Sequence, residues 1–126
     1  MEFTLDDDQQ ALADTAGQFL AQQAPSEFVR EMVDNGGEGG SGTTEDFWQR
    51  LVELGWVGLL VPERHGGSGM GMLEMMVVLE AMGRLPLPGP FLSSAVLATM
   101  AADRLGLEDR LVSLASGSTR GTVALD

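Results

Sequence analysis

Between residues 6 and 23 the apolar positions return with the period of an α-helix. Leu12, Ala16, Phe19 and Leu20 stand at i, i+4, i+7 and i+8 and make one stripe. Asp6 is placed to cap that helix, with Gln9 three residues on to return the bond, and Asp7 and Asp8 suit the positive end of its dipole. Pro25 breaks the run and opens a second, short helix carrying Phe28, Val29, Met32 and Val33, which Asn35-Gly36 ends. A third helix is predicted from Thr44, with Phe47, Trp48, Leu51, Val52 and Leu54 apolar and Gly55 as its stop. The short run from Trp56 to Val61, closed by Pro62, is expected to be extended and buried.

The second half is more apolar. A helix from Met72 to Met82 carries Leu73, Met75, Met76, Val77, Val78 and Leu79 on nearly every side, the pattern of a helix at the centre of a bundle. Gly83 caps it, and Pro86, Pro88 and Pro90 prevent its continuation. Pro90 then opens a fifth helix with Leu92, Ala95, Val96 and Met100 inside and Gly106 as its stop. A sixth spans Glu108 to Ser116, with Leu111, Leu114 and Ala115 inward behind Leu107. Thr122 and Val123 turn the tail toward β-type residues. The predicted class is all-α, a bundle of about six helices with a strand beginning at the end of the chain.

Composition narrows the function. A chain of 126 residues suits one domain and can bury roughly two thirds of its unfolded surface, enough for a core without staples. Seven basic residues against nineteen acidic ones give a net charge of −12. All the basic residues are arginines, and they are scattered. That argues against nucleic acid and against an anionic membrane surface as partners. No apolar stretch is long enough to span a bilayer, and the acidic start Met1-Glu2-Phe3-Thr4-Leu5-Asp6 is unlike a signal peptide, so a cytoplasmic location is expected. The absence of cysteine removes disulfides, thiol nucleophiles and thiolate metal sites.

Little chemistry remains. Gly37, Gly39 and Gly42 match the spacing of a dinucleotide fingerprint, but a helix and not a strand precedes them and Glu38 sits within; the run Gly36–Gly42 is better explained as a surface linker. His65, in a second glycine loop from Glu63 to Gly71, has Glu63 nearby as an orienting carboxylate, but no serine elbow accompanies it. A surface or interface histidine is the better reading. Met70, Met72, Met75, Met76 and Met82 are core by spacing, with pocket lining as the lesser alternative. No self-sufficient active site is legible in these residues.

Six segments in order carry a resemblance. They are Phe3-Thr4-Leu5 with Asp8-Gln9-Gln10-Ala11-Leu12, then Phe47-Trp48-Gln49-Arg50-Leu51 through Leu54-Gly55-Trp56, and Leu60-Val61-Pro62-Glu63-Arg64-His65-Gly66-Gly67 through Gly71. Val78-Leu79-Glu80-Ala81-Met82-Gly83-Arg84, Pro88-Gly89-Pro90-Phe91-Leu92-Ser93-Ser94 and Leu111 through Leu114-Ala115-Ser116-Gly117 complete the set. Together they resemble the N-terminal helical domain of the acyl-CoA dehydrogenase family over the whole chain. His65 departs from the pattern, since the family usually carries an aromatic such as tyrosine there.

The resemblance implies a division into residues 1–118, the helical domain, and residues 119–126, the start of a middle β-domain whose first strand Gly121-Thr122-Val123-Ala124-Leu125 would lead in. It implies a reaction in which a glutamate takes the α-proton of an acyl-CoA thioester while FAD accepts a hydride from the β-carbon. The glutamate and nearly all flavin contacts belong to the middle and C-terminal domains, so neither catalytic nor cofactor-binding residues are expected here. What the family's N-terminal domain supplies is one wall of the acyl pocket, and its positions fall on Gly89, Pro90, Ser93, Ser94 and Leu97. Small residues there suggest a bulky or branched acyl group, such as a steroid side chain; close helix packing is the alternative. An isolated domain with an unpartnered apolar helix is also expected to self-associate, and the intact protein to be a homo- or hetero-oligomer. The competing function is a non-catalytic helical module, or a degenerate subunit, packed against a catalytic partner.

Overall fold

The computed structural model describes residues 4–36, 45–85, 87 and 89–124. Of the glycine-rich linker expected at Gly36–Gly42 all but Gly36, the helix start expected at Thr44, Pro86, Pro88 and the last two residues lie outside them. Six α-helices follow in order: α1 (Asp7–Gln23), α2 (Ser26–Gly36), α3 (Glu45–Glu53), α4 (Met72–Gly83), α5 (Thr99–Arg104) and α6 (Glu108–Ala115). A single 3₁₀ turn, Glu63–His65, precedes α4, and a π-helical segment, Leu92–Ala98, runs directly into α5. The described residues contain no strand.

Local chemistry explains the starts. The Gln9 amide donates to Asp6 Oδ1 at 2.7 Å and the Asp6 amide donates to Gln9 Oε1 at 3.1 Å, a reciprocal cap on α1. At α4 the Glu74 carboxylate accepts from the Gly71 amide at 3.2 Å. Helix α1 lies along α4, and the aromatic stripe joins α1 to α3 through Phe19 and Phe47, with Trp56 set edge-on to Phe19 at 5.4 Å. The main core gathers Trp48, Leu51, Trp56, Leu59, Met75, Val78, Phe91, Ala95 and Val96. A smaller cluster of Val61, Ala98, Ala102, Leu111, Leu114 and Ala115 joins α5 to α6.

Four expectations need correction. The run Trp56–Val61 is buried but not extended: Leu59 N bonds to Trp56 O and Val61 N to Gly58 O, so it coils in successive turns. Gly58 permits this, because a Cβ there would stand 3.1 Å from the Ala115 backbone, and α6 rests directly on the run. Helix α4 is not enclosed; Met75, Val77 and Val78 are buried while Leu73 and Met76 are more than half exposed. Leu92 and Met100, expected inside, point outward, since the wider π-helical turn breaks the i, i+4 stripe that an α-helix would have given. The tail from 120 to 124 forms no strand among the described residues, because a strand is stabilised by pairing and no neighbouring strand is described.

Candidate functional site

The segment from Gly89 to Leu97 is built by a sharp entry and a wide helix. Gly89 has φ of 120°, a region that side chains with a Cβ avoid, so glycine is needed for the chain to turn here. Pro90 accepts from the Ser94 amide at 2.9 Å and from the Ser93 hydroxyl at 3.1 Å, closing the first turn. Phe91 is buried and anchors the turn against α3. Behind it, between Phe47, Trp48, Leu51, Met82, Leu87 and Phe91, the residual gap is about 10 Å³, room for a water and no more. Gly89 and Pro90 line that gap too, and among the described residues it is too small for a chain of methylenes, so the exposed outer face is the candidate ligand surface.

The five residues singled out from the sequence divide on this helix. Gly89 and Leu97 are exposed, and Pro90 and Ser93 are half-buried. Ser94 is fully buried, and its hydroxyl accepts from the Gly121 amide at 3.1 Å. Leu92, absent from the sequence-based set, is 53% exposed beside Ser93. Periodicity could not find it, because the α-helical template assigns it inward. The outer face is therefore Leu92, Ser93 and Leu97, an apolar ridge with one small polar residue between two leucines.

Other features are chemically quiet. His65 is half-buried, its Nε2 is buried without a hydrogen-bond partner, and among the described residues no hydrogen bond joins its ring to the Glu63 carboxylate. A cleft of about 430 Å³ between α1 and α4 is lined by Leu5, Gln10, Asp14, Val77, Glu80 and Arg84. Among the described residues of its lining the one cation is Arg84, which faces Glu80 at 3.6 Å, and Asp14 stands in the same wall. Such a lining would repel the pyrophosphate of a dinucleotide, so these residues do not fit FAD. No group of three or more His, Asp or Glu side chains among the described residues is placed to hold a metal ion, and no described helix is long and apolar enough to cross a membrane.

Residues 6–109 match the model of the acyl-CoA dehydrogenase N-terminal domain. The chain belongs to the acyl-CoA dehydrogenase family. Acyl-CoA dehydrogenase IpdE2 of Mycolicibacterium smegmatis is 30% identical over 97% of this chain and 38% of its own length. A chain of the ChsE4-ChsE5 complex from Mycobacterium tuberculosis superposes with a TM-score of 0.83 at 32% identity, covering 100% of this chain and 35% of that one. A steroid acyl-CoA dehydrogenase, Tcur3481-Tcur3483, gives 0.80 at 30% identity over 97% of this chain and 33% of that one. This acyl-CoA dehydrogenase N-terminal domain thus spans well under half the length of each relative.

Proposed function

We propose that this domain is one wall of the acyl pocket in a flavin-dependent acyl-CoA dehydrogenase, and is not catalytic by itself. Family membership supports the reaction class, and in this reading FAD and the catalytic base belong to the parts of the family's proteins that lie outside the matched domain. The observation that carries the wall assignment is the outward ridge at Leu92, Ser93 and Leu97 on a helix whose inner side is fully packed. Gly89 and Pro90 set the entry to that ridge, and Ser94 supports it from beneath. A steroid acyl-CoA dehydrogenase among the similar structures supports a bulky or branched acyl group as substrate.

Residues 1–118 form the wall domain in this proposal, and 119–126 lead into the middle domain, where a neighbouring strand would give Thr122 and Val123 something to pair with. Two of the similar structures carry two-protein names, which supports assembly with a second chain and favours heteromeric over isolated action. A cytoplasmic location fits the acidic, lysine-free surface.

The test uses the longest reading frame that contains this sequence, expressed alone and with its neighbouring reading frames. Flavin absorbance in the purified protein, and dye-linked oxidation of a branched or steroid-side-chain acyl-CoA in preference to a short straight one, are expected. Ser93→Leu should lower kcat/KM for the bulky substrate more than for the short one, because one added isobutyl group narrows the ridge. A purified assembly with neither flavin nor turnover, or equal losses for both substrates, would overturn the proposal.

A further inference from the structure

The segment that follows α6 is tied back onto the domain at several points. Gly117, at φ of 75°, presents its carbonyl to Trp48 Nε1, which donates to it at 3.0 Å in the interior. A Cβ on Gly117 would lie 2.4 Å from Val52 Cγ2, so only glycine allows this approach. Arg120 lays its guanidinium over the Trp48 ring, 5.0 Å from the centroid, and pairs with Glu45 at the start of α3. Gly121 then gives its amide to Ser94 Oγ, and a Cβ there would stand 2.7 Å from Ala98 Cβ.

Both contacts of Gly121 fall on the buried side of the π-helical segment. On the same side Thr99 Oγ1, itself buried, donates to Ser94 O at 2.9 Å, spanning the five residues that a π-helical bond spans. Seven consecutive residues of π-helix exceed the single-turn bulges usual for this conformation, so contacts from outside the helix must favour it. The register matters at the surface. Residues five apart lie about 140° apart around an α-helix at 100° per residue. In the π-helical turn Leu92 and Leu97 share the exposed side.

We infer that docking of residues 117–121 sets the helical register of the outer ridge. With Gly121 held on Ser94 the segment 92–98 is π-helical and Leu92 and Leu97 share a face. With the tail released, the segment relaxes toward α-helix and the two leucines diverge. Ser94 and Gly121 are positioning residues, acting through the backbone they join. That the ridge receives an acyl group rests on the proposed function; the coupling of tail to register does not.

The experiment uses the isotopically labelled 126-residue chain in three forms: unaltered, Ser94→Ala and Arg120→Gln. Couplings measured through the hydrogen bonds of residues 92–98 identify each amide's carbonyl partner, and amide exchange is followed at Gly121. The unaltered chain is expected to show i−5 partners beyond Ser94, whose own amide bonds to Pro90 O. Ser94→Ala should speed exchange at Gly121 about tenfold and move the partners to i−4. Arg120→Gln, a surface change that spares the core, should shift both readouts the same way by less, and carries the test should the serine variant fail to fold. Partners of i−4 beyond Ser94 in the unaltered chain, i−5 partners persisting after exchange at Gly121 has accelerated, or unchanged exchange in Ser94→Ala would each overturn the inference. No outcome depends on enzymatic activity, so the proposed function stands or falls separately.

Discussion

Gly67→Ala tests how the second glycine loop is held. An alanine there would place its Cβ 2.0 Å from Val61 O and 2.5 Å from Val61 C and Cβ, where carbon atoms normally rest about 3.5–4.0 Å apart. The loop cannot swing away freely, because Gly67 N, Ser68 N, Gly69 N and Met70 N bond to Pro62 O, Gly58 O, Val61 O and Leu59 O at 3.2, 3.0, 2.9 and 2.9 Å. Val61 is fully buried beneath α6 and cannot retreat either. Separating the two segments of this loop would break about two of those bonds, about 1 kcal/mol each, and overpacking at Val61 adds about 1–3 kcal/mol. The sum is about 3–5 kcal/mol against a total stability of about 5–15 kcal/mol for a domain. Urea unfolding followed by circular dichroism should show a midpoint lower by about 2 M, taking a slope of about 2 kcal/mol per M. Gly66→Ala is the control: its φ is 88° but nothing lies within 4 Å of the added Cβ, so only left-handed strain of about 1–2 kcal/mol is expected. Gly17→Ala, in the open on α1, should stabilise by about 0.5–1 kcal/mol. A Gly67→Ala variant no weaker than Gly66→Ala would refute the reasoning.

Three further outcomes are expected. Hydrogen bonds from Arg120 and Gln49 hold the Glu45 carboxyl below its ordinary value of 4.5, so its contribution to stability is complete above the unfolded value and fades as pH falls through the lower folded value; the difference in urea midpoint between the unaltered chain and Glu45→Gln should therefore be present at neutral pH and vanish in strong acid. Leu73→Gln with Met76→Gln should leave the unfolding midpoint nearly unchanged while reducing self-association seen by light scattering at high concentration, and an unaltered chain that is already a clean monomer would count against an exposed adhesive face on α4. Ser94→Leu should cost about 1–3 kcal/mol in thermal or urea unfolding, whereas Ser93→Leu should cost under 1 kcal/mol, since only the first side chain is enclosed.

Where local chemistry decided the outcome, it was legible in advance. The Asp6–Gln9 cap, the aromatic stripe of α3 and the inward triplet Leu111, Leu114 and Ala115 of α6 needed only capping rules and the 3.6-residue period. Contacts between distant segments were not legible. Nothing in the spacing of Glu45, Trp48, Gly117 and Arg120 announces that they close on one another, because side-chain contact across 69 residues is a property of the packed chain. The same holds for Trp56–Val61, whose turns follow from α6 lying against Gly58. The resemblance pointed to the stretch Gly89–Leu97, whose inner and outer positions only the folded chain distinguishes; α-helical counting set Leu92 inside, where it is exposed.

The two serines show why small residues are ambiguous evidence for ligand volume. Ser93 and Ser94 are adjacent and chemically identical, and from sequence either could leave space for an acyl chain or let helices approach. The structure separates them by one helical position. Ser94 faces the interior, touches no solvent and spends its hydroxyl on the Gly121 amide, so its small size serves the approach of the tail, as that of Ala98 does. Ser93 returns its hydroxyl to Pro90 O and lies on the partly open side with Leu92 and Leu97. A methylene added at Ser94 competes with backbone, where nothing can yield; one added at Ser93 competes only with whatever rests on the ridge. In the proposed acyl wall, selectivity for a bulky group would therefore reside in the outer serine, with the inner one fixing which side chains stand beside it.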